Sequence, residues 1–164
     1  MPFQTTINRN PPLGVEGQFA SVSNTHNVLA GTGALVAGAT GVTIGRFAWA
    51  DLDTGKASNT KATGTNVAIG FVGRGSNAGV ITNWQEGASM LIPVGYGVTL
   101  FDRGDFWVKT KTVATVGQAV FASDTTGEIS TGAVGGTVAG STVVPEFKVA
   151  SAGAVGTLIK ISAF

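Results

Sequence analysis

Residues 28–51 read VLAGTGALVAGATGVTIGRFAWAD, with Arg46 as the only charge before Asp51. Such a stretch suggests a membrane span, a phosphate-binding loop or a series of strands. Its length is sufficient for a span, but glycines and threonines stand where a spanning helix carries leucine and isoleucine. Glycine disfavours helix by roughly 0.8–1 kcal/mol relative to alanine, and valine and threonine are stiff at χ1. The stretch therefore predicts short strands joined by glycine turns.

Half of a dinucleotide-binding fingerprint lies in this stretch. Gly31 and Gly33 open it, but Val36 stands at the third glycine position. No helix with a ribose-binding acid follows, and Gly-x-x-x-x-Gly-Lys-Ser/Thr occurs nowhere in the chain. We therefore expect no nucleotide cofactor and assign the glycines to turns and bulges.

The rest of the chain continues the strand pattern. Short β-branched runs bounded by glycine, proline, asparagine or aspartate occupy 42–44, 67–72, 80–84, 90–92, 106–108, 119–121, 147–149 and 158–161. Residues 118–130 predict a hairpin in which Asp124 holds the turn and Gly127 takes positive φ. Many short strands without helices between them predict an all-β fold, an antiparallel β-sandwich or small barrel of jelly-roll-like character.

Two segments depart from this pattern. Residues 1–27 show no clear periodicity; Pro11 and Pro12 enforce extended backbone there, and Gly14 and Gly17 interrupt any strand. We expect an extended N-terminal arm at 1–27 and a single β domain at 28–164. Residues 132–146 are low in complexity, which predicts a flexible loop or a poorly specified edge.

The charge content excludes several classes of partner. Only 12% of residues are charged, and ten lysines and arginines against nine acids give a net charge of +1. These charges are scattered, whereas nucleic-acid binding needs clustered cations, so we expect no nucleic-acid partner. There is no cysteine, which excludes disulfides and thiolate metal sites. The start, MPFQTTINRN, lacks the basic end and apolar core of a secretory signal, so we expect cytosolic synthesis and no membrane partner.

Side chains that carry chemistry are sparse. His26 is the only histidine, and no Gly-x-Ser-x-Gly elbow presents Ser21 or Ser23 as a nucleophile. Zinc needs three or four nitrogen or sulfur ligands, and the calcium-loop pattern that begins at Asp51 has Ala62 where the bidentate glutamate belongs. We expect neither a metal nor a cofactor.

The sharpest enzymatic motif is Asp53-Thr54-Gly55. Asp-Thr-Gly surrounds the catalytic aspartate of aspartic proteases, in which two carboxylates share one proton. Here Lys56 follows where a small residue is usual. We favour a polar turn after the strand at 47–49 and keep a homodimeric aspartic protease using Asp53 as an alternative.

Two further sets of residues suggest carbohydrate chemistry. Asp102 and Asp105 are the residue types of a glycosidase pair, but they flank a predicted hairpin turn, where ion pairing explains them better. Trp84, Tyr96 and Trp107 are candidates for a sugar-stacking platform. Aromatics on strands are more often core residues, and only Tyr96, between two glycines, predicts an outward side chain.

The head of the chain, MPFQTTINRNPPLGVEGQFAS, together with residues 28–51, resembles the structural cement, or decoration, proteins of tailed-bacteriophage capsids. The similarity continues more loosely through DFWVKT and VGQAVFASDTTGEIST. The resemblance implies a small β-structured protein that catalyses nothing. It implies a homo-oligomer, a dimer or trimer, located on the outer face of an icosahedral head where major capsid subunits meet.

The residues and the resemblance together predict a non-enzymatic protein of the virion that bridges subunits of the major capsid protein. We expect the arm to add a strand to a partner sheet or to lie in a groove, through Phe3, Ile7, Arg9, Pro11, Pro12 and Leu13. The apolar members would anchor it, and Arg9 would pair with a carboxylate. The alternatives are a fibre- or spike-type carbohydrate-binding β module, the aspartic protease and a minor β-sandwich subunit of another assembly.

Overall fold

The computed structural model describes residues 14–22, 24–31, 33–75 and 89–163, and within them the chain forms strands, turns and no helix. The strands are β1 (His26–Asn27), β2 (Val36–Ala37), β3 (Val42–Thr43), β4 (Phe47–Asp51), β5 (Lys56–Ser58), β6 (Val67–Val72), β7 (Leu91–Ile92), β8 (Leu100–Lys109), β9 (Ala119–Ser123), β10 (Ile129–Gly132), β11 (Ser141–Val149) and β12 (Leu158–Ala163). The all-β prediction is confirmed. In the described part of the chain, no helix is long and apolar enough to cross a membrane.

Most strands belong to one large sheet. Its hydrogen-bonded neighbours follow the order β10-β9-β11-β12-β8-β6-β4-β5-β2, and β1 pairs with β8 off this path. β3 and β7 form a separate two-stranded ribbon. The sheet is antiparallel except for the parallel β2–β5 pair. Among the described residues, the end strands β10 and β2 do not pair with each other, so the sheet is not a closed barrel.

The sheet folds over so that its two halves face each other. β4 and β11 stand four places apart in the strand order, which in a flat sheet would separate them by about 19 Å. The ring centroids of Phe47 on β4 and Phe147 on β11 are nevertheless only 5.5 Å apart. The arrangement is therefore sandwich-like, while the jelly-roll connectivity stays a prediction.

β4 is buried on both faces, and it separates two cores. Phe47 and Trp49 point into the core between the two halves of the sheet, whereas Ala48 and Ala50 point to the other side. The first core also contains Phe71, Phe106, Val108, Val120, Ile129, Val144, Phe147, Ile159 and Ile161. The second contains Leu35, Val42, Ile44, Val72, Ile92, Val98 and Leu100 and is covered by the β3–β7 ribbon. This two-sided burial explains why β4 is apolar at every position before Asp51.

The strand interpretation of residues 28–51 is confirmed, since they form β2, β3 and β4. The turns between them need glycine at two positions. Gly41 has φ +70° and Gly45 has φ +82°, and residues other than glycine rarely adopt such angles. The polar turn after β4 is also found, because residues 52–55 connect β4 to β5.

The predicted hairpin turn between Asp102 and Asp105 is wrong. Both residues lie within the continuous strand β8. Gly104, with φ +137°, makes an irregularity in that strand, so that Phe101 and Phe106 both face the first core although their positions differ by an odd number. A glycine between two aspartates is typical of a turn, but here the chain continues because β12 pairs with the whole second half of β8.

The expected loop at residues 132–146 is wrong in its second half. Residues 141–149 form β11, which lies between β9 and β12. The ladder with β9 shifts register between Val144 and Lys148, around Pro145, which has no N–H to donate. The hairpin at 118–130 is confirmed as β9 and β10 with Gly127 at φ +66° in the turn. The role predicted for Asp124 is wrong, because its carboxylate accepts from the Thr142 hydroxyl on β11 at 2.6 Å.

Part of the expected arm packs on the body. β1 pairs with β8, and a further bridge joins Phe19 to Phe106. The division into an arm at 1–27 and a body at 28–164 stays a prediction.

Candidate functional site

We call residues 14–20 the docked segment, because they run along β8 and hydrogen-bond to its main chain. The N–H of Gly17 donates to the carbonyl of Trp107 at 2.8 Å, and the N–H of Ala20 donates to the carbonyl of Asp105 at 2.8 Å. Within the segment the N–H of Gln18 donates to the carbonyl of Val15 at 3.0 Å, which makes a turn at residues 15–18, and an isolated bridge then joins Phe19 to Phe106 of β8.

Glycines let the docked segment approach the body closely. A Cβ at Gly14 would overlap the indole ring of Trp107, and a Cβ at Gly17 would lie 2.8 Å from Cγ2 of Ile44. Gly17 also has φ +83°. The sequence interpretation took Gly14 and Gly17 only as residues that interrupt a strand. Their role in close approach was missed because the partners lie far away in the sequence.

Phe19 is the apolar anchor of the docked segment. Its ring meets that of Phe101 edge-on at a centroid distance of 5.3 Å and that of Phe106 at 5.0 Å. Phe106 is fully buried, whereas Phe19 remains 40% exposed. The docked segment therefore covers the aromatic core from outside without forming part of its centre.

A charged pocket lies where the docked segment meets the start of β4 and the end of β8. It is lined by Glu16, Gly45, Arg46, Lys109, Lys111, Glu128 and Ile129. The Glu128 carboxylate lies 3.0 Å from Nζ of Lys111 and 3.3 Å from a guanidinium nitrogen of Arg46. A Cβ at Gly45 would lie 2.5 Å from Cγ of Glu16, so the glycine admits the Glu16 side chain.

The pKa values of the two glutamates in this pocket are shifted in opposite directions. Burial raises the pKa of Glu16 above its usual value, and the charges of Lys109 and Arg46 only partly offset this effect. Burial also acts to raise the pKa of Glu128, but the hydrogen bond from Lys111 and the charge of Arg46 outweigh it, so this pKa is lowered. The pocket thus brings the carboxylates of Glu16 and Glu128 together with the cationic side chains of Arg46, Lys109 and Lys111.

Among the described candidates, His26 pairs with Asp102 and Ser21 pairs with Asp105, whereas Ser23 lies outside the described residues. Nδ1 of His26 lies 2.7 and 2.8 Å from the two carboxylate oxygens of Asp102. The Ser21 hydroxyl donates to Asp105, and the Ser162 hydroxyl donates to the same carboxylate at 2.5 Å. Asp102 and Asp105 thus have separate hydroxyl or imidazole partners. In the described ranges, no group of three or more histidine, aspartate or glutamate side chains is placed to hold a metal ion.

Asp53 lies in an exposed turn. Its carboxylate accepts a hydrogen bond of 2.9 Å from Nδ2 of Asn66. The neighbouring Asp51 accepts hydrogen bonds from the Asp53 N–H and the Thr54 hydroxyl, at 3.0 and 2.9 Å. These hydrogen bonds lower the pKa of Asp51, and the one from the Thr54 hydroxyl has the largest effect. This is the geometry of a side-chain-stabilised turn.

The three aromatic candidates have different surroundings. Tyr96 is 49% exposed in the loop after β7, as predicted from its flanking glycines. Trp107 has the Lys160 ammonium 4.9 Å from its ring centroid and Gly14 against its edge, so its ring is already in contact with the protein. Trp84 lies outside the described residues.

The predicted arm contacts lie outside the described residues as well: Phe3, Ile7, Arg9, Pro11, Pro12 and Leu13. The described surface carries exposed apolar side chains at Val15, Phe19, Val22, Leu29, Leu91, Val94, Tyr96, Val113, Val116, Val134, Val143 and Val155. The same surface also carries exposed charged side chains, among them Lys56, Arg74, Arg103, Glu146 and Lys148.

Comparison with protein families gives one match over nearly the whole chain. The family described as XM1 gp53 minor capsid protein matches residues 3–163. None of the curated proteins compared with the chain matches it.

Among solved structures, a chain in the capsid of Myoviridae phage XM1 has the same fold. The two share 15% sequence identity and superpose with a TM-score of 0.62, over 99% of this chain and 97% of that one. At this identity the likeness concerns the fold alone. It extends over both halves of the folded sheet.

Proposed function

Because the chain belongs to the XM1 gp53 minor capsid protein family, we propose that it is a non-enzymatic cement, or decoration, protein of an icosahedral phage head. The protein is a component of the virion capsid. In the proposed role it binds the outer surface of the shell and bridges neighbouring subunits of the major capsid protein. The family match over residues 3–163 carries this proposal.

Bridging stabilises a shell through the number of contacts. When one copy, or a homo-oligomer of two or three copies, touches several subunits, each later contact forms at high effective concentration. A partner that binds only the assembled shell also shifts the equilibrium toward assembly. Modest individual contacts therefore suffice, and the role requires no reactive side chain.

The chemistry of the described surface is compatible with this role. The chain has few charges, and Glu128, Asp102 and Asp124 already face cations or His26 within the protein. Apolar side chains such as Val116 and Val155 are exposed beside the remaining charged ones. Contact with a shell would then depend on apolar area and main-chain hydrogen bonds, which salt screens weakly.

The N-terminal arm is the part that we propose to reach the shell. Extended chain can add a strand to a sheet edge or lie in a groove of the major capsid protein. In this proposal Phe3, Ile7 and Leu13 provide apolar anchors, and Arg9 pairs with a carboxylate. Pro11 and Pro12 keep the chain extended.

Reconstitution tests the proposal. Capsids assembled without the protein are mixed with the full chain, pelleted, and then heated while a dye reports access to the packaged DNA. We expect the chain to pellet with the shells and to raise the temperature at which the dye enters. Wild-type virions, whose sites are already occupied, are the control and should take up little more.

Two results would contradict the proposal. The first is a chain that stays in the supernatant, and the second is a shell that opens at the same temperature with and without bound chain. Binding to glycans in place of shells would instead support the fibre- or spike-type module. Peptide hydrolysis that is lost in Asp53→Asn would support the protease.

A further inference from the structure

We propose that three exposed valines at one end of the folded sheet form a contact surface for a second copy of this chain. They are Val116, Val134 and Val155, and we call the turns that carry them the valine end. The inference rests on the homo-oligomer of the proposed function and names the surface through which its copies meet. It can be tested without a capsid.

The three valines occupy the same position in the same kind of turn. The turns cover residues 115–118, 133–136 and 154–157, and in each the fourth N–H donates to the first carbonyl, at 3.3, 3.0 and 3.1 Å. The third residue of each turn is a glycine with φ of +87°, +79° and +78° in turn: Gly117, Gly135 and Gly156. A positive φ at the third position is typical of a type II turn. The second residue, at the corner, is valine in all three.

These valines contribute little to the fold. Val116, Val134 and Val155 are 67%, 71% and 59% exposed, and both cores are formed by other residues. The second position of a type II turn favours proline and does not require a large apolar side chain. An apolar side chain that neither packs in a core nor shapes its turn is available to a partner.

The strand register brings the three turns to one end of the sheet. The last residue of β10, Gly132, pairs with the first residue of β9, Ala119, so the connections that follow β10 and precede β9 begin and end side by side. A bridge between Ala114 and Gly153 joins the β8–β9 connection to the β11–β12 connection. The turns lie in these connections. Their valines are therefore gathered at one end, unlike the single exposed apolar residues that are common on protein surfaces.

The charge of this end suits a second copy of the chain. Residues 110–118, 133–140 and 150–157 contain one charged side chain, Lys111, and its ammonium lies 3.0 Å from the Glu128 carboxylate. In a two-fold contact, a residue near the axis meets its own copy, so an unpaired charge there would meet a like charge. Valines and small uncharged residues meet their own copies without such repulsion.

The shape of the valine end also suits its own copy. Each valine stands beside a glycine, and a Cβ added at Gly117, Gly135 or Gly156 would have no atom of the described residues within 4 Å. A protruding side chain is thus next to open space in each turn, so that a valine of one copy can lie beside a glycine of the other. The exposed Lys109 and Lys148 lie at the adjoining strand ends, where they would form a polar rim around an apolar centre.

Val94 provides a matched control within the same chain. It is the second residue of a further turn of this kind, in which the Tyr96 N–H donates to the Pro93 carbonyl at 3.2 Å and Gly95 has φ +81°. Its side chain is 62% exposed. This turn follows β7 and is bonded to Ala37 of β2, so it lies outside the three connections that form the valine end. A substitution there changes an equivalent turn without changing the proposed contact.

Sedimentation equilibrium of the isolated full chain tests the contact, and circular dichroism checks folding. We expect the wild-type chain to self-associate reversibly. Val116→Lys and Val155→Lys should each raise the dissociation constant by about tenfold or more, because each places a cation against its own copy in an apolar contact. Val94→Lys should behave as wild type. Val155→Thr, which keeps the shape of the side chain, is a second variant in case a lysine variant does not fold, and it should also weaken association.

Three results would overturn the contact between copies. The first is a wild-type chain that stays monomeric, and the second is self-association that the valine-end variants leave unchanged or that Val94→Lys weakens equally. The third is a pair of lysine variants that still self-associate but pellet less with capsids, because the shell would then occupy the valine end. A monomeric chain that pellets with capsids leaves the proposed function intact, since one copy can bridge two subunits. A chain that self-associates as expected but fails to pellet contradicts the proposed function alone.

Discussion

The N–H of Phe47 donates a hydrogen bond of 2.9 Å to the carbonyl of Gly127, and a Cβ at Gly127 would overlap the carbonyl oxygen of Phe47. Phe47 begins β4, whereas Gly127 lies in the β9–β10 turn, far away in the strand order. Nδ2 of Asn59 donates to the same Phe47 carbonyl at 2.9 Å. This contact closes one end of the folded sheet.

Gly127→Ala should therefore be strongly destabilising. Its positive φ and the overlap with Phe47 together predict a loss of about 3 kcal/mol in the free energy of unfolding. Gly135→Ala is the matched control, since Gly135 has φ +79° and no atom within 4 Å of an added Cβ. It should lose only about 1 kcal/mol. Urea unfolding of the two variants measures the difference, and equal losses would contradict this role of Gly127.

Phe106→Ala should open a cavity in the first core. Phe106 is fully buried and its ring contacts those of Phe19, Phe71, Phe101 and Phe147. Removing such a side chain costs about 3–5 kcal/mol. Phe19→Ala, at the outer side of the same cluster, should cost about 1 kcal/mol because its ring is partly exposed. Thermal unfolding of both variants measures these losses in stability. A loss for Phe19→Ala as large as that for Phe106→Ala would mean that Phe19 is a core residue.

Some strands could be predicted from a few consecutive residues, without knowing which strands they pair with. β6 matches the expected run 67–72, and β7 lies within 90–92. The turn at 52–55 was also expected, because polar residues and a glycine follow an apolar strand there. In each case the signal is contained in a few consecutive residues.

Long-range pairing decided the elements that were predicted wrongly or missed. Nothing near Gly104 indicates that β12 will pair with the residues from Gly104 onward while β1 and β6 pair with those before it. β11 follows an alanine- and glycine-rich stretch and was not predicted over its full length, because its pairing with β9 and β12 determines it. Gly14 and Gly17 find their roles only against Trp107 and Ile44. Contacts over such distances leave no periodic signal in one sequence.

The charged pocket predicts two opposite pH dependences. The lowered pKa of Glu128 means that its ionised form stabilises the fold above the unfolded value near 4.5, and that this contribution is lost as the pH falls through the folded pKa. Glu128→Gln should therefore lower the unfolding temperature at pH 7. The corresponding loss in the free energy of unfolding should be less than about 1 kcal/mol. The difference from wild type should shrink below pH 4.5.

Glu16 should behave in the opposite way. Its raised pKa means that protonation favours the folded state, so its contribution is greatest below the unfolded value near 4.5 and is lost as the pH rises through the folded pKa. Glu16→Gln, which resembles the protonated acid, should raise the unfolding temperature at pH 7 and leave it unchanged at pH 3. Unfolding temperatures at both pH values test this, and a lower value at pH 7 would mean that attraction to Lys109 and Arg46 prevails.

Deletion of residues 1–12 should weaken attachment and leave the body folded. These residues precede the docked segment, and the described core contacts lie in the remaining chain. We expect near-native circular dichroism and reduced pelleting with capsids. Undiminished attachment of the truncated chain would show that the arm does not bind the shell.

Attachment of the full chain should change little between low and high salt, because few charges are available for ion pairs.

A cryo-electron-microscopy map of the virion tests the central claim most directly. We expect density for this chain on the outer face of the shell, with each copy or oligomer in contact with at least two subunits of the major capsid protein. Density on the inner face, or contact with a single subunit only, would contradict it.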